Sequence, residues 1–344
     1  MSFPFSIYCA AFCSSLVTTL LALPLWRKWC QKTGLVDDPG HRKIHESPVA
    51  LAGGLAVLTG LIVPLAAGVI TLLALSPASL MDARLALQAP ETEALLFGPD
   101  VIQLIGYGLN RRALQLAVIV SGGLAMVALG WVDDKHELRP AAKFAGQFII
   151  AAIVAGAGVR ITLFVDNLLF SYAVTILWIL TVTNAFNFMD NMNGLCAGLG
   201  AISAWSFALS AAVQGQYLVA VLAFLGAGAL LGFLPYNFPR ATAFLGDAGS
   251  HLVGYLLAVL AILPHFYSEE NRNVWAVLSP LLILAVPRLD LVWVVVLRWR
   301  LGQPFYMGDN NHLSHRLVRR GFSRQEAVLL IWALGATLGG LAFL

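Results

Sequence analysis

The chain has 344 residues, 59% of them hydrophobic and 11% charged, with a mean hydropathy of +0.80. Soluble domains carry roughly 25% charge, so a soluble fold could not cover this much apolar surface. The net charge of +3 is small, no nucleic-acid partner is expected, and four cysteines without clustered histidines offer neither a zinc site nor a disulfide framework.

Uncharged runs of the length that crosses lipid recur along the chain, about 20 helical residues matching a hydrocarbon core of roughly 30 Å. The first, Phe3 to Trp26, has no basic leader and runs into a motif-rich loop, so it reads as a span and not as a cleaved signal. Cys9 and Cys13 share one face of it and read as ordinary helix packing. Spans are expected at 4–26, 49–75, 113–132, 143–160, 168–187, 194–213, 217–234, 248–266, 274–297 and 326–344. The stretch between Asp190 and Arg240 carries no charge and is too long for one helix, and Gln214, Gly215 and Gln216 supply the break. The outer segment from Pro77 to Asn110 holds no motif that attaches to chemistry. The expected fold is all-α, a polytopic membrane protein of about ten transmembrane helices in a single domain over 1–344.

The basic residues are unevenly shared. Five Lys and Arg lie from Arg27 to Lys43, three from Lys135 to Lys143, one at Arg240 and six from Arg298 to Arg324, against five in the opposite loops. The positive-inside rule then places these loops in the cytoplasm and both termini outside, as in a multi-pass protein of the cell inner membrane.

Four polar sets lie at helix ends on that cytoplasmic face. Asp133 and Asp134 are followed by Leu138, Arg139, Pro140, Lys143 and Gln147. Adjacent carboxylates repel unless a cation shares their field, which suits metal or phosphate chemistry; helix capping explains the pair equally well. Asn184, Asn187, Asp190 and Asn193 are spaced by three, so neighbours rotate by only about 60° on a helix and can converge if it loosens there. Their amide and carboxylate oxygens are hard ligands of the kind Mg²⁺ takes. Asp247 opens a further helix within Phe244 to Ser250, where free N–H groups could bind phosphate. Beyond the ninth span, Asp309, Asn310, Asn311, His312, Ser314, His315, Arg316, Arg319 and Arg320 make a site for polyanionic phosphate. An earlier basic loop with Asp37, Asp38, His41, Arg42, Lys43 and His45 reads as lipid anchoring or substrate contact, and Gly53-Gly54 after it as close helix packing. Arg288 and Asp290 inside the ninth span read as a structural pair where Pro287 bends the helix.

The order and spacing of Gly34-Leu35-Val36-Asp37, Gly130-Trp131-Val132-Asp133-Asp134, Asn184-Ala185-Phe186-Asn187 and His312-Leu313-Ser314-His315-Arg316 resemble the polyprenyl-phosphate N-acetylhexosamine-1-phosphate transferases, the WecA- and TagO-like members of the glycosyltransferase family 4 type. The resemblance implies transfer of a sugar 1-phosphate from a UDP-N-acetylhexosamine to a polyprenyl phosphate lipid, with release of UMP. It implies Mg²⁺ as cofactor, with Mn²⁺ as the alternative, and is compatible with a homodimer. By the same likeness Asp133 deprotonates or orients the lipid phosphate, Asp134 lies near the metal and Lys143 holds the lipid phosphate. Asp247 and Asn187 are the implied metal ligands. Asn184, Asp190 and Asn193 belong to the nucleotide side, and His312, His315 and Arg316 grip the diphosphate or sugar. Two positions depart from the bacterial pattern: Asn193 stands where a second aspartate is usual, and Ser314 replaces the inner histidine of a His-Ile-His-His loop. The choice among UDP-sugars stays open. The rival reading is a multi-helix membrane transporter, although transporters gather ionisable groups near the midplane. The D-G-x-x-A-R signature of a CDP-alcohol phosphotransferase is missing.

Overall fold

The computed structural model describes residues 5–38, 47–74, 99–162, 165, 167–264, 278–304 and 310–343, with the backbone alone described for 99–111. His41, Arg42, Lys43, His45 and Asp309 lie outside these residues. The helices are α1 (Phe5–Thr33), α2 (Gly53–Ala74), α3 (Pro99–His136), α4 (Pro140–Gly156), α5 (Leu168–Met189), α6 (Leu195–Val213), α7 (Tyr217–Phe233), α8 (Gly246–Ile262), α9 (Ser279–Ile283), α10 (Ala285–Arg300), α11 (Leu313–Arg319) and α12 (Arg324–Leu341). Among the described residues six helices are long and apolar enough to cross a membrane, and this is a membrane protein. Cys9 and Cys13 are exposed, so on that helix they face outward and do not serve the packing expected of them.

Each expected span contains a helix, but the ninth contains two. Pro287 has no N–H and its ring clashes with the carbonyl four residues back, that of Ile283, so one helix cannot pass through. The chain breaks at Leu284 (φ −100°, ψ 17°) and α10 restarts with Pro287 in its first turn. Ser203 Oγ reaches the Ile283 carbonyl at 3.4 Å, and Arg288 donates from Nε to Leu284 O at 3.2 Å and from its terminal nitrogen to Leu281 O. The guanidinium also lies 5.3 Å over the Trp178 ring. The expected Arg288–Asp290 pair is therefore overturned. Arg288 serves carbonyls that the break leaves open, and Asp290 turns elsewhere. The 99–110 stretch, read from sequence as loop, is helical, and α3 kinks at Arg112 (φ −115°, ψ 15°) just before the expected third span.

A small sheet was not legible in the sequence. β1 (Val36–Asp37) pairs antiparallel with β2 (Val49–Ala50) in register Val36↔Ala50, and Ala50 bridges in parallel to Ala243. This ties the loop after α1 to the segment that enters α8. The first N–H groups of α2 then use the same strand, Gly53 N donating to Phe244 O at 2.9 Å and Gly54 N to Leu245 O at 3.0 Å. The close packing expected of the glycine pair is present, since a Cβ on Gly54 would lie 2.5 Å from the backbone N of Gly249 in α8. Gly54→Val should therefore push α8 aside, costing about 1–3 kcal/mol as overpacking does. A fall in detergent-solution melting temperature together with lost activity is the expected result.

α8 packs against α2, α3, α5 and α6 and is buried on nearly every side. Through the contacts just given and those of the site, the ends of α1, α3, α5 and α7 meet the starts of α2, α4, α8 and α11. The basic-rich loops thus share one end of the helix bundle.

Candidate active site

The two adjacent aspartates at the C-terminal end of α3 point to different tasks. Asp133, 8% exposed, accepts Leu138 N at 2.8 Å on Oδ1 and holds Lys143 Nζ at 2.7 Å on Oδ2. Lys143 comes from the first turn of α4, which Pro140 starts. Its ammonium also meets Asp247 Oδ2 at 3.0 Å and Asn187 Oδ1 at 3.5 Å. One cation thus gathers oxygens from α3, α5 and α8, residues as far apart in sequence as Asp133 and Asp247. Asn187 Nδ2 donates in turn to Asp247 Oδ1 at 2.5 Å and to Ser250 Oγ at 2.9 Å.

Asp134 faces the other way. Its Oδ1 accepts Asp247 N at 2.7 Å and its Oδ2 accepts Ala248 N at 3.1 Å. The N-terminus of α8, expected to offer free N–H groups to phosphate, is corrected by this finding: a carboxylate from α3 already fills it. Gly246 makes the approach possible, with φ +72° and a would-be Cβ 2.8 Å from Asp134 Oδ2. Asp134 so fixes the backbone from which the Asp247 side chain projects.

Beneath this cluster lies a buried amide network. Asn184 Nδ2 donates to Leu180 O at 2.8 Å and to Gln147 Oε1 at 2.7 Å. That leaves the Gln147 amino group to face His251 Nε2 at 3.2 Å, so this imidazole nitrogen is the acceptor. Asn184 is thereby bonded inside the protein, one turn before Asn187 on the same helix.

The asparagine ladder does not stay on one helix. α5 ends at Met189, Asp190 is its C-cap (φ −79°, ψ 38°), and Asn193 sits in the following turn with Nδ2 3.4 Å from Pro239 O. Asp190 is half-buried, and burial, followed by the Asp247 and Asp134 carboxylates, pushes its carboxyl up to about 8.

The histidine loop arrives on the same end of the bundle. His312 is 5% exposed and its Nδ1 lies 2.7 Å from Asp290 Oδ2 in α10, while Leu313 N donates to Asp290 Oδ1 at 2.6 Å. Its ring meets Phe188 edge-on at 5.6 Å, and Arg298 lies 5.3 Å over the same phenyl ring. Ser314, at the position that departs from the bacterial pattern, is fully buried and donates to Asn191 Oδ1 at 2.7 Å. Arg316 lies 4.6 Å over Trp293. His315, on the same short helix, is held below the usual histidine range chiefly by burial.

Asp133, Lys143, Asn187 and Asp247 are thus brought together, with Asp190 within their field. Asn193 is apart from them, and the histidine loop adjoins them through Phe188 and Asn191. Asp290 and Asn191 were missed as members of the site. The signal for Asp290 was present, a carboxylate inside an expected membrane span, where a charge needs a partner.

Divalent-cation chemistry can be judged from the donors present. Among the described residues no group of three or more His, Cys, Asp or Glu could hold a metal ion. Asp247, 33% exposed at its side chain, and the neighbouring Asn187 amide are hard oxygen donors. Mg²⁺ is bound through one or two such protein oxygens, with waters and substrate phosphates supplying the rest. The residues fit such an ion shared with a substrate and do not form a closed cage.

A family model described as glycosyl transferase family 4 matches residues 116–265. The chain is 30% identical over 334 residues to a probable undecaprenyl-phosphate N-acetylglucosaminyl 1-phosphate transferase of Bacillus subtilis, covering 94% of this chain and 81% of that protein. It is 32% identical over 342 residues to the decaprenyl-phosphate N-acetylglucosaminephosphotransferase of Mycobacterium tuberculosis, covering 92% and 77%. It is 26% identical over 346 residues to the undecaprenyl-phosphate alpha-N-acetylglucosaminyl 1-phosphate transferase of Escherichia coli K12, covering 95% and 80%. With this coverage, and with the carboxylates gathered at one end of the helices where the motifs put them, the chain belongs to the polyprenyl-phosphate N-acetylhexosamine-1-phosphate transferases of glycosyl transferase family 4.

Proposed function

We propose that this protein moves N-acetylglucosamine 1-phosphate from UDP-N-acetylglucosamine to a polyprenyl phosphate, releasing UMP and starting a lipid-linked glycan. The observation that carries the reading is the convergence of Asp133, Asn187 and Asp247 on the one ammonium of Lys143. Attack of one phosphate on another is slowed by anion repulsion, so a cation held among hard oxygens is what the reaction needs. Two unit charges 4 Å apart repel by about 4 kcal/mol at an effective dielectric of 20.

Lys143 binds the lipid phosphate. Both oxygens of Asp133 are engaged, by Leu138 N and by Lys143, which favours aiming the ammonium over taking a proton. A lipid phosphate near neutral pH is already largely ionised and needs no strong base. Asp247 and Asn187 would hold Mg²⁺, or Mn²⁺ as the alternative, which when bound neutralises the diphosphate and steadies the departing UMP. Asp190, whose carboxyl is pushed up to about 8 by burial and then by the Asp247 and Asp134 carboxylates, would lie on the uracil side of the nucleotide. His312, His315 and Arg316 lie at the diphosphate or sugar, with Asn193 at the rim of the uridine side. The recurring apolar runs support about ten crossings of the inner membrane, and the balance of basic residues supports a site facing the cytoplasm.

Purified protein given UDP-N-acetylglucosamine, undecaprenyl phosphate and Mg²⁺ should release UMP, and EDTA should stop the release until Mg²⁺ is restored. Absence of UMP from every UDP-sugar offered, with solute uptake into proteoliposomes instead, would return the transporter reading.

A further inference from the structure

We propose that Asp290 is a positioning residue for the transfer, fixing the tautomer and direction of His312 so that Nε2 is presented to the nucleotide-sugar substrate. The inference rests on the function proposed above.

An ionised carboxylate only accepts hydrogen bonds. With Asp290 Oδ2 2.7 Å from His312 Nδ1, the proton of the neutral imidazole must sit on Nδ1, and Nε2 is left with its lone pair directed away from α10. The second oxygen accepts Leu313 N at 2.6 Å, so the same carboxylate anchors the ring and the backbone that carries it. Both residues are nearly buried, Asp290 5% and His312 5% exposed. Such a pair holds one geometry far better than a solvated one would.

The direction of the ring decides which substrate it serves. Its edge contact is Phe188, the residue after Asn187, and Ser314, two residues on in α11, is tied to Asn191. His312 therefore borders the asparagine ladder of α5 and the turn beyond it. Asp133 and Lys143 approach from α3 and α4, and Lys143, held by Asp133, reaches the ladder at Asn187. This division assigns the dyad to the nucleotide sugar and leaves the lipid phosphate to Lys143.

Asp290→Asn separates chemistry from structure. The variant keeps the volume, and its carbonyl oxygen can still accept Leu313 N. Its amino group, however, donates towards Nδ1, so the imidazole must carry its proton on Nε2 instead. The expected result is an unchanged melting temperature in detergent, a fall in kcat/KM for UDP-N-acetylglucosamine of about 10- to 100-fold, as for other outer-shell partners of a functional histidine, and an unaltered KM for undecaprenyl phosphate. In a His312→Ala background the same change should cost nothing further in kcat/KM. Wild-type kcat/KM in Asp290→Asn, or an equal loss with and without His312, would overturn the inference, the second even if the variant melts early. Wild-type protein that releases no UMP would instead reject the proposed function.

Discussion

Asp247→Asn is expected to lower turnover by about 10²- to 10³-fold, the usual consequence of removing one electrostatic contact from a transferring centre, while leaving the protein folded. The carboxylate is one of two that share Lys143, at 3.0 Å against 2.7 Å for Asp133. Neutralising it leaves one anion for one cation, so no buried charge is stranded. The backbone N–H of residue 247 still donates to Asp134, because that bond does not involve the side chain. The start of α8 therefore stays in place. What disappears is the negative oxygen that would face a divalent cation, and an amide is a weaker ligand for it. UMP release and a melting curve on the same preparation check the claim. Full activity would refute the assignment of Asp247 to the metal.

Asp134→Ala should fail for the opposite reason. Here the side chain accepts two backbone N–H groups at the start of a largely buried helix, at 2.7 and 3.1 Å. Hydrogen bonds to a charged group contribute about 1.5–3 kcal/mol each, and donors left unpaired in the interior add their own cost. A loss of about 2–4 kcal/mol and a clearly lower melting temperature are expected, with activity falling because Asp247 is no longer held in place. Asp134→Asn should recover only part of this, since its amino group would be turned against one of the two donors. A melting temperature equal to wild type in Asp134→Ala would sink the anchoring role.

Asp247 and Asp134, joined through the Asp247 N–H, are thus separable by a single measurement: the first variant is inactive and stable, the second inactive and unstable. The sequence could not have told them apart. Asp133-Asp134 at a helix end is compatible with capping and with catalysis, and the structure sets Asp134 against the α8 backbone and Asp133 against Lys143. By contrast the helices were legible, because runs of about 20 apolar residues answer to the thickness of lipid whatever their partners. The break at Gln214 to Gln216 was legible on the same ground and is present between α6 and α7. Long-range pairings were not. Neither the bridge from Ala50 to Ala243 nor the Asp290–His312 bond leaves a local signal. Arg288 and Asp290 stand two apart in a helix, a spacing at which side chains do not face each other, and that geometry already argued against their pairing. Of the site, the donor types and their order were readable; which carboxylate anchors the α8 backbone and which one meets Lys143 required the packing of α3 on α8.

The placement of α8 also constrains how the protein comes to be made. Its neighbours α2, α3, α5 and α6 all precede it in the chain, so they enter the bilayer before the element that unites them exists. Until Gly246 and Asp247 leave the ribosome, the Asp134 carboxylate has no backbone donors to meet, and Lys143 lacks one of its two anions. Biogenesis must therefore hold the earlier segments loosely together and insert a late keystone among them. A nascent chain arrested before that point would expose unpaired ionised groups at the membrane surface, the kind of fragment that quality-control proteases remove.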